Sequence, residues 1–316
     1  MSRLDDYRTA LLAAHPDVSD EELAAALDSR GGEFPGFIID FGLGPLWHER
    51  TGHEAFYESR MQAEALFALQ DQAMGEVNTA LSGAGIDFAL IKGGANRLLL
   101  YENPASRACF DLDLLVRPGD KVAAATALAD IGFVPVPDES SISRELVMSR
   151  SGVDVDLHWG LLREGRLRTE PVEAMLDRRQ EVPGHWVLSE EDTLFLLLVH
   201  PAFAKHLSAW DMGLHRVADL LAWIRDQEYE WATVLQMLEA TGVRVAAWAT
   251  LRWAQLLAGE YAQANLQQML NDLQPGRAKR EWIDFWLRND LPGRTSTKRW
   301  TRLLGFSTFL HDTAGD

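Results

Sequence analysis

Asp111 and Asp113 stand two residues apart in the run Arg107-Ala-Cys-Phe-Asp-Leu-Asp-Leu-Leu-Val116. An extended strand repeats its side chains every two residues, so both carboxylates point to one face and Leu112 and Leu114 to the other. Two neighbouring carboxylates in an apolar setting repel each other, and burying them without a counter-charge is costly. A divalent cation removes that cost. Hard oxygen ligands suit Mg²⁺, with Mn²⁺ as the alternative. A second alternating run, Val153-Asp-Val-Asp-Leu-His-Trp159, places Asp154, Asp156 and His158 together on one strand face. Upstream, Lys92-Gly93-Gly94 joins an apolar stretch to a short helical pattern. Backbone N–H groups uncovered by glycine at a helix start make an anion site.

The elements that position these residues follow from periodicity and punctuation. Gly83 to Ile91 reads as a turn followed by a buried strand, Lys92 to Tyr101 as a glycine turn opening a short helix and Phe110 to Val116 as the acidic strand. An alanine-rich helix runs to about Asp130, and a strand enters at Gly132-Phe-Val-Pro-Val. Residues 144–149 and 153–159 form a hairpin turning at Ser151-Gly152. Before this region, Ser19-Asp-Glu-Glu signals a helix start, residues 31–46 read as a glycine- and proline-rich loop, and 54–82 carries a helical stripe of Leu66, Leu69, Ala73, Val77 and Leu81. From Ser189-Glu-Glu-Asp onward strand signals disappear and successive helices fit up to about residue 289. The expected class is α+β: a mixed sheet with flanking helices, preceded by N-terminal helices and followed by a helical domain. The expected division is 1–82, 83–187 and 188–316.

Composition narrows the partners. The 316 residues are 47% apolar and 24% charged, values of an ordinary globular chain. The lone cysteine, Cys109, excludes an internal disulfide and fits a reducing compartment. The N-terminus lacks an apolar signal core and no stretch approaches the length of a membrane span, so the expected location is the cytoplasm. A formal net charge of −17 disfavours nucleic acid as a partner, since backbone binding needs clustered lysine and arginine. It leaves room for a nucleotide, which one lysine and one arginine can hold. Arg294, Lys298, Arg299 and Arg302 gather near the C-terminus and read as a solvated face. His200 and His206 lie six apart, off one helical face, which argues against a zinc site there.

A glycine turn at a helix start, an Asp-x-Asp strand and a third acid on a later strand together resemble the nucleotidyltransferase superfamily, the fold of DNA polymerase beta and the aminoglycoside nucleotidyltransferases. The chain is closer still to a little-characterised bacterial family of nucleotidyltransferase-like proteins. The matching residues are Ile91-Lys92-Gly93, Tyr101, Arg107, Asp111-Leu-Asp113-Leu-Leu-Val116 and Asp156-Leu-His158-Trp159. His200, Trp210, Arg216, Asp219 and Leu220 fit the family's later helical pattern. The resemblance implies Mg²⁺-dependent transfer of a nucleotidyl group from an NTP to a small-molecule, sugar or peptide/protein acceptor. It implies that Asp111, Asp113 and Asp156 hold the metal and that Lys92, Gly93, Gly94 and Arg107 meet the triphosphate. Asp154 competes with Asp156 as third acid, and Asp156 is the one directly before Leu-His-Trp. His158, His200, Arg216 and Asp219 are accessory candidates. Where superfamily members carry Gly-Ser after the strand, Gly94 stands here. A non-catalytic nucleotide-binding scaffold, a kinase-like phosphoryl transfer and a toxin-type protein modification are the alternatives on the same fold.

Overall fold

The computed structural model describes residues 3–137 and 144–312. The chain divides into two compact units, one formed by residues 62–196 and the other by residues 1–61 together with 197–316. The N- and C-terminal ends of the helical readings, residues 1–2 and 313–316, lie outside the described residues.

The first unit holds a seven-stranded mixed sheet in the order β3-β4-β5-β2-β1-β7-β6. The strands are β1 (Phe88–Ile91), β2 (Asp111–Val116), β3 (Val134–Pro135), β4 (Glu145–Arg150), β5 (Val153–His158), β6 (Gln180–Val182) and β7 (His185–Val187). β2 runs antiparallel to β1 and parallel to β5, which pairs antiparallel with β4. β7 lies parallel to β1 and β6 closes that edge. The expected α+β mixed sheet with flanking helices is therefore observed. The predicted hairpin turns where expected: Ser151 and Gly152 both have positive φ, 51° and 84°, the backbone of a two-residue turn whose twist suits a hairpin. Strands β6 and β7 are too short to carry a periodic signal, and sequence reading does not find them.

One face of the sheet is apolar because every second residue is. Phe88, Leu90, Leu112, Leu114, Val116, Val153, Val155 and Leu157 pack against Ala73, Met74, Val77 and Leu81 of helix α1 (Tyr57–Gly83). Ala124, Ala127 and Leu128 of helix α3 (Lys121–Asp130) complete that core, and helix α2 (Lys92–Leu100) follows β1 directly. Each fully buried leucine or valine contributes about 1.5–3 kcal/mol. The stripe on α1 departs from the sequence expectation at its start: Leu69 is exposed and Met74 lines the core in its place.

The second unit is helical. Its N-terminal part contains the expected capping box, with Ser19 and Glu22 bonding each other's backbone N–H groups ahead of the helix Asp20–Arg30. The glycine- and proline-rich stretch 31–46 is not the expected loop. It forms the helix Phe34–Asp40 and starts the helix Gly44–Thr51, with Pro35 and Pro45 in their first turns. Proline is tolerated there because a first-turn N–H has no intrahelical acceptor to lose. Helices Arg244–Ala258 and Arg277–Arg288 belong to the helical series expected up to about residue 289.

A paired substitution tests the close packing of α2 on β1. A Cβ at Gly94 would stand 2.7 Å from Leu90 Cδ1, whereas one at Gly75, on the exposed side of α1, would meet nothing within 4 Å. Gly94→Ala should destabilise the protein by about 1–3 kcal/mol in urea unfolding. Gly75→Ala should stabilise it by about 0.5–1 kcal/mol.

Candidate active site

The parallel pairing of β2 with β5 aligns Asp111 with Asp154 and Asp113 with Asp156. All four carboxylates, together with His158, therefore emerge on the sheet face opposite the apolar core. Their surroundings differ. Asp113 is buried, Asp111 and Asp156 are part-buried, and Asp154 is exposed. His158 is buried at the end of β5.

Asp113 is the anchor of the group. Its Oδ1 accepts from Lys92 Nζ at 2.6 Å and lies 2.7 Å from His158 Nε2. Lys92 Nζ and His158 Nε2 are themselves 3.0 Å apart. Burial alone would raise the Asp113 pKa, but the Lys92 ammonium and the His158 ring outweigh it and hold the carboxyl well below the usual range. Asp156 shifts the other way. Burial first, and then the Asp113 and Asp111 carboxylates, push it up to about 7, with Lys92 offsetting part of the effect. Two adjacent acids thus hold their protons very differently in the absence of a divalent ion.

The lysine reaches Asp113 through an uncommon backbone. Lys92 has φ +52°, a region where side chains other than glycine's are strained. Such a conformation costs on the order of 1–3 kcal/mol and persists only where its surroundings enforce it. The following glycines are required by proximity, not by φ. A Cβ on Gly93 would stand 2.6 Å from Arg107 Nη1 and 3.0 Å from Cys109 Sγ. Arg107 is buried against this first helical turn, and its Nη1 donates to the Ala108 carbonyl at 2.7 Å. The Cys109 thiol donates to the Asp111 carbonyl at 3.0 Å, and burial pushes its pKa up, so it behaves as an inert packed thiol.

The structure thus brings Lys92, Gly93, Arg107, Asp111, Asp113, Asp156 and His158 to one end of β1, β2 and β5. Asp154 shares the face but is exposed. His200, Arg216 and Asp219 belong to the helical unit: His200 on the helix Glu190–Ala204, Arg216 and the fully buried Asp219 on His215–Asp226. Arg216 bonds the Met212 carbonyl and lies 3.5 Å from His215 Nε2.

Asp113, Asp156 and His158 each offer a ligand atom within 4.8 Å of the other two. Two carboxylate oxygens and one imidazole nitrogen are a donor set that could hold a divalent metal ion. The group differs from the sequence expectation in one member, having His158 where Asp111 was expected; Asp111 lies near enough to raise the Asp156 pKa. Sequence reading also missed Glu145, whose Oε2 lies 3.3 Å from His158 Nδ1. A signal for it existed. A two-residue turn at Ser151-Gly152 fixes the hairpin register, and counting back from it sets Glu145 opposite His158, as observed.

Two stability measurements follow for the metal-free protein. The folded Asp156 binds its proton more tightly than an unfolded aspartate, from 3.8 up to about 7. Its contribution is therefore fully present below about pH 4 and lost as pH rises through about 7. Asp156→Asn should match wild type at pH 4 and exceed it by about 1–3 kcal/mol at pH 8, allowing for partial solvent screening. Lys92→Met leaves Asp113 buried without its ammonium and should cost about 3–5 kcal/mol at pH 7, read by urea unfolding in EDTA.

Residues 49–259, two thirds of the chain, match the sequence pattern of a family described as an uncharacterised nucleotidyltransferase. No curated protein matches the chain. The matched span includes β1, β2 and β5 with all of Lys92, Asp113, Asp156 and His158. By this match over most of its length, the chain belongs to the uncharacterised nucleotidyltransferase family.

Proposed function

We propose that this protein transfers a nucleotidyl group from an NTP to the hydroxyl of a small-molecule, sugar or peptide/protein acceptor, with a divalent metal ion. The observation that carries the reading is the register of Asp113 against Asp156 in a member of a nucleotidyltransferase family. Asp113, Asp156 and His158 would hold the ion, with Asp111 facing the same side. When bound, Mg²⁺ or Mn²⁺ supplies positive charge to the triphosphate oxygens and takes the place of a counter-ion for the acids.

The remaining work falls to the chain itself. The first-turn N–H groups of α2, at Gly93 and Gly94, have no intrahelical acceptor and suit the β and γ phosphates. The acceptor oxygen attacks the α phosphorus, the bond from that phosphorus to the β-phosphate bridging oxygen breaks, and pyrophosphate leaves. The acceptor proton passes to a carboxylate oxygen of Asp156. Lys92 and Arg107 offset the negative charge that builds on pyrophosphate. Lys92 is already bonded to Asp113, so its ammonium is held at the acids before any nucleotide binds. The chain's net charge of −17 supports an acceptor that is not a nucleic acid.

The test uses NTPs labelled separately at the α and γ positions, offered with Mn²⁺ or Mg²⁺ and a cell extract as the acceptor source. Label should move from the α position, and Asp113→Asn and Asp156→Asn should each lower transfer at least about 100-fold. Label arriving only from the γ position would replace this reading with phosphoryl transfer. Failure to bind any NTP with either ion, by calorimetry, would remove the enzymatic reading altogether.

A further inference from the structure

Among the described residues, Glu145 is the carboxylate that touches the cluster from a third strand. It sits at the start of β4, directly across from His158 in the antiparallel β4–β5 register. Its Oε2 is 3.3 Å from His158 Nδ1, while Nε2 of the same ring faces Asp113 Oδ1 at 2.7 Å. The imidazole therefore lies between two carboxylates, one on each nitrogen. Its ring is buried, with 7% of the side chain exposed, so neither nitrogen has bulk water as an alternative partner.

A neutral imidazole carries one N–H and one lone pair, and the partner of one nitrogen decides which it is. Without an ion, an Nε2–H serves the Asp113 contact at 2.7 Å; with an ion bound, the hydrogen on Nδ1 donates to Glu145 and Nε2 presents its lone pair to the ion beside Asp113 and Asp156. The Lys92 ammonium stands within 2.6 Å of Asp113 Oδ1 and 3.0 Å of His158 Nε2. A cation thus already lies beside the two atoms that would ligate the ion. With an ion bound, an Nε2–H would block that nitrogen from ligating and leave Nδ1 bare before the Glu145 carboxylate.

We propose that Glu145 is a positioning residue for the metal site: it accepts a hydrogen bond from His158 Nδ1–H and so commits Nε2 to ligate the ion alongside Asp113 and Asp156. The inference rests on the metal-dependent reading given above and extends it to a residue outside the ligand group. A carboxylate behind a ligating histidine fixes the ring and raises its basicity, and its loss costs about 10–100-fold in metal affinity. Glu145 supplies that carboxylate from a strand whose register the hairpin turn sets.

The experiment measures Mn²⁺ binding to the full-length protein by the electron paramagnetic resonance signal of the free ion. It also reads the His158 tautomer from long-range ¹H–¹⁵N correlations at saturating Mg²⁺. Wild type should bind Mn²⁺ and show the Nδ1–H tautomer, and Asp113→Asn should abolish binding. Glu145→Ala should weaken binding about 10–100-fold and shift the ring toward the Nε2–H tautomer. Glu145→Gln, which keeps a carbonyl acceptor, should retain most of the affinity and the wild-type tautomer. An Nε2–H tautomer in the Mg²⁺-loaded wild type overturns the proposal without recourse to any variant. So does wild-type affinity in Glu145→Ala, or an equal loss in the alanine and glutamine variants; in these cases the metal reading stands. A wild type that binds no Mn²⁺, alone or with NTP, overturns both.

Discussion

The repulsion between two aspartates set side by side on a parallel pair of strands governs this end of the sheet. Asp113 and Asp156 are neighbours because β2 and β5 pair in the register that packs Leu112, Leu114, Val155 and Leu157 into one core. Sliding either strand by one residue to separate the acids would turn those apolar side chains outward. The packing of one face thus holds the charges of the other face together. The protein answers with a lysine drawn in from the start of α2 and a histidine at the end of β5, and Asp156 absorbs the remainder by keeping its proton.

That answer constrains the backbone. Lys92 reaches Asp113 from a left-handed conformation, and the two residues after it have no room for a side chain because Arg107, Cys109 and Leu90 fill the space. The turn proposed to meet phosphates and the lysine bonded to Asp113 are therefore one local structure. The glycines let the helix approach, and the approach delivers the ammonium. Ammonium and divalent ion suit the same ligand atoms, which connects the metal-free arrangement to the proposed chemistry.

Much of this was legible in the sequence, and the omissions have physical causes. Period-two alternation located β2 and β5, and the Ser151-Gly152 turn located their antiparallel neighbour β4. The common facing of Asp111 and Asp113 followed from the pleat. Which of the acids draw together did not, because it depends on the register between strands far apart in sequence. His158, unlike Asp111, joins the tight group for that reason. Residues 31–46 read as a loop because proline and glycine usually break helices, whereas proline in a first turn starts one readily. Strands β6 and β7, three residues each, fall below the length at which alternation can be recognised.

The parallel pairing of β2 and β5 also bears on when the site comes into being. His158 lies 45 residues beyond Asp113, and parallel neighbours cannot be joined by a tight turn. Helix α3 and strands β3 and β4 must be laid down in the interval. The cluster of Asp113, Asp156 and His158 is consequently a product of long-range closure, a slow class of event in which chain entropy is lost before contacts reward it. No fragment containing only the Asp-x-Asp strand assembles it. A cation that binds this group selects the closed sheet over every earlier state of the chain, and so acts on the folding equilibrium by mass action.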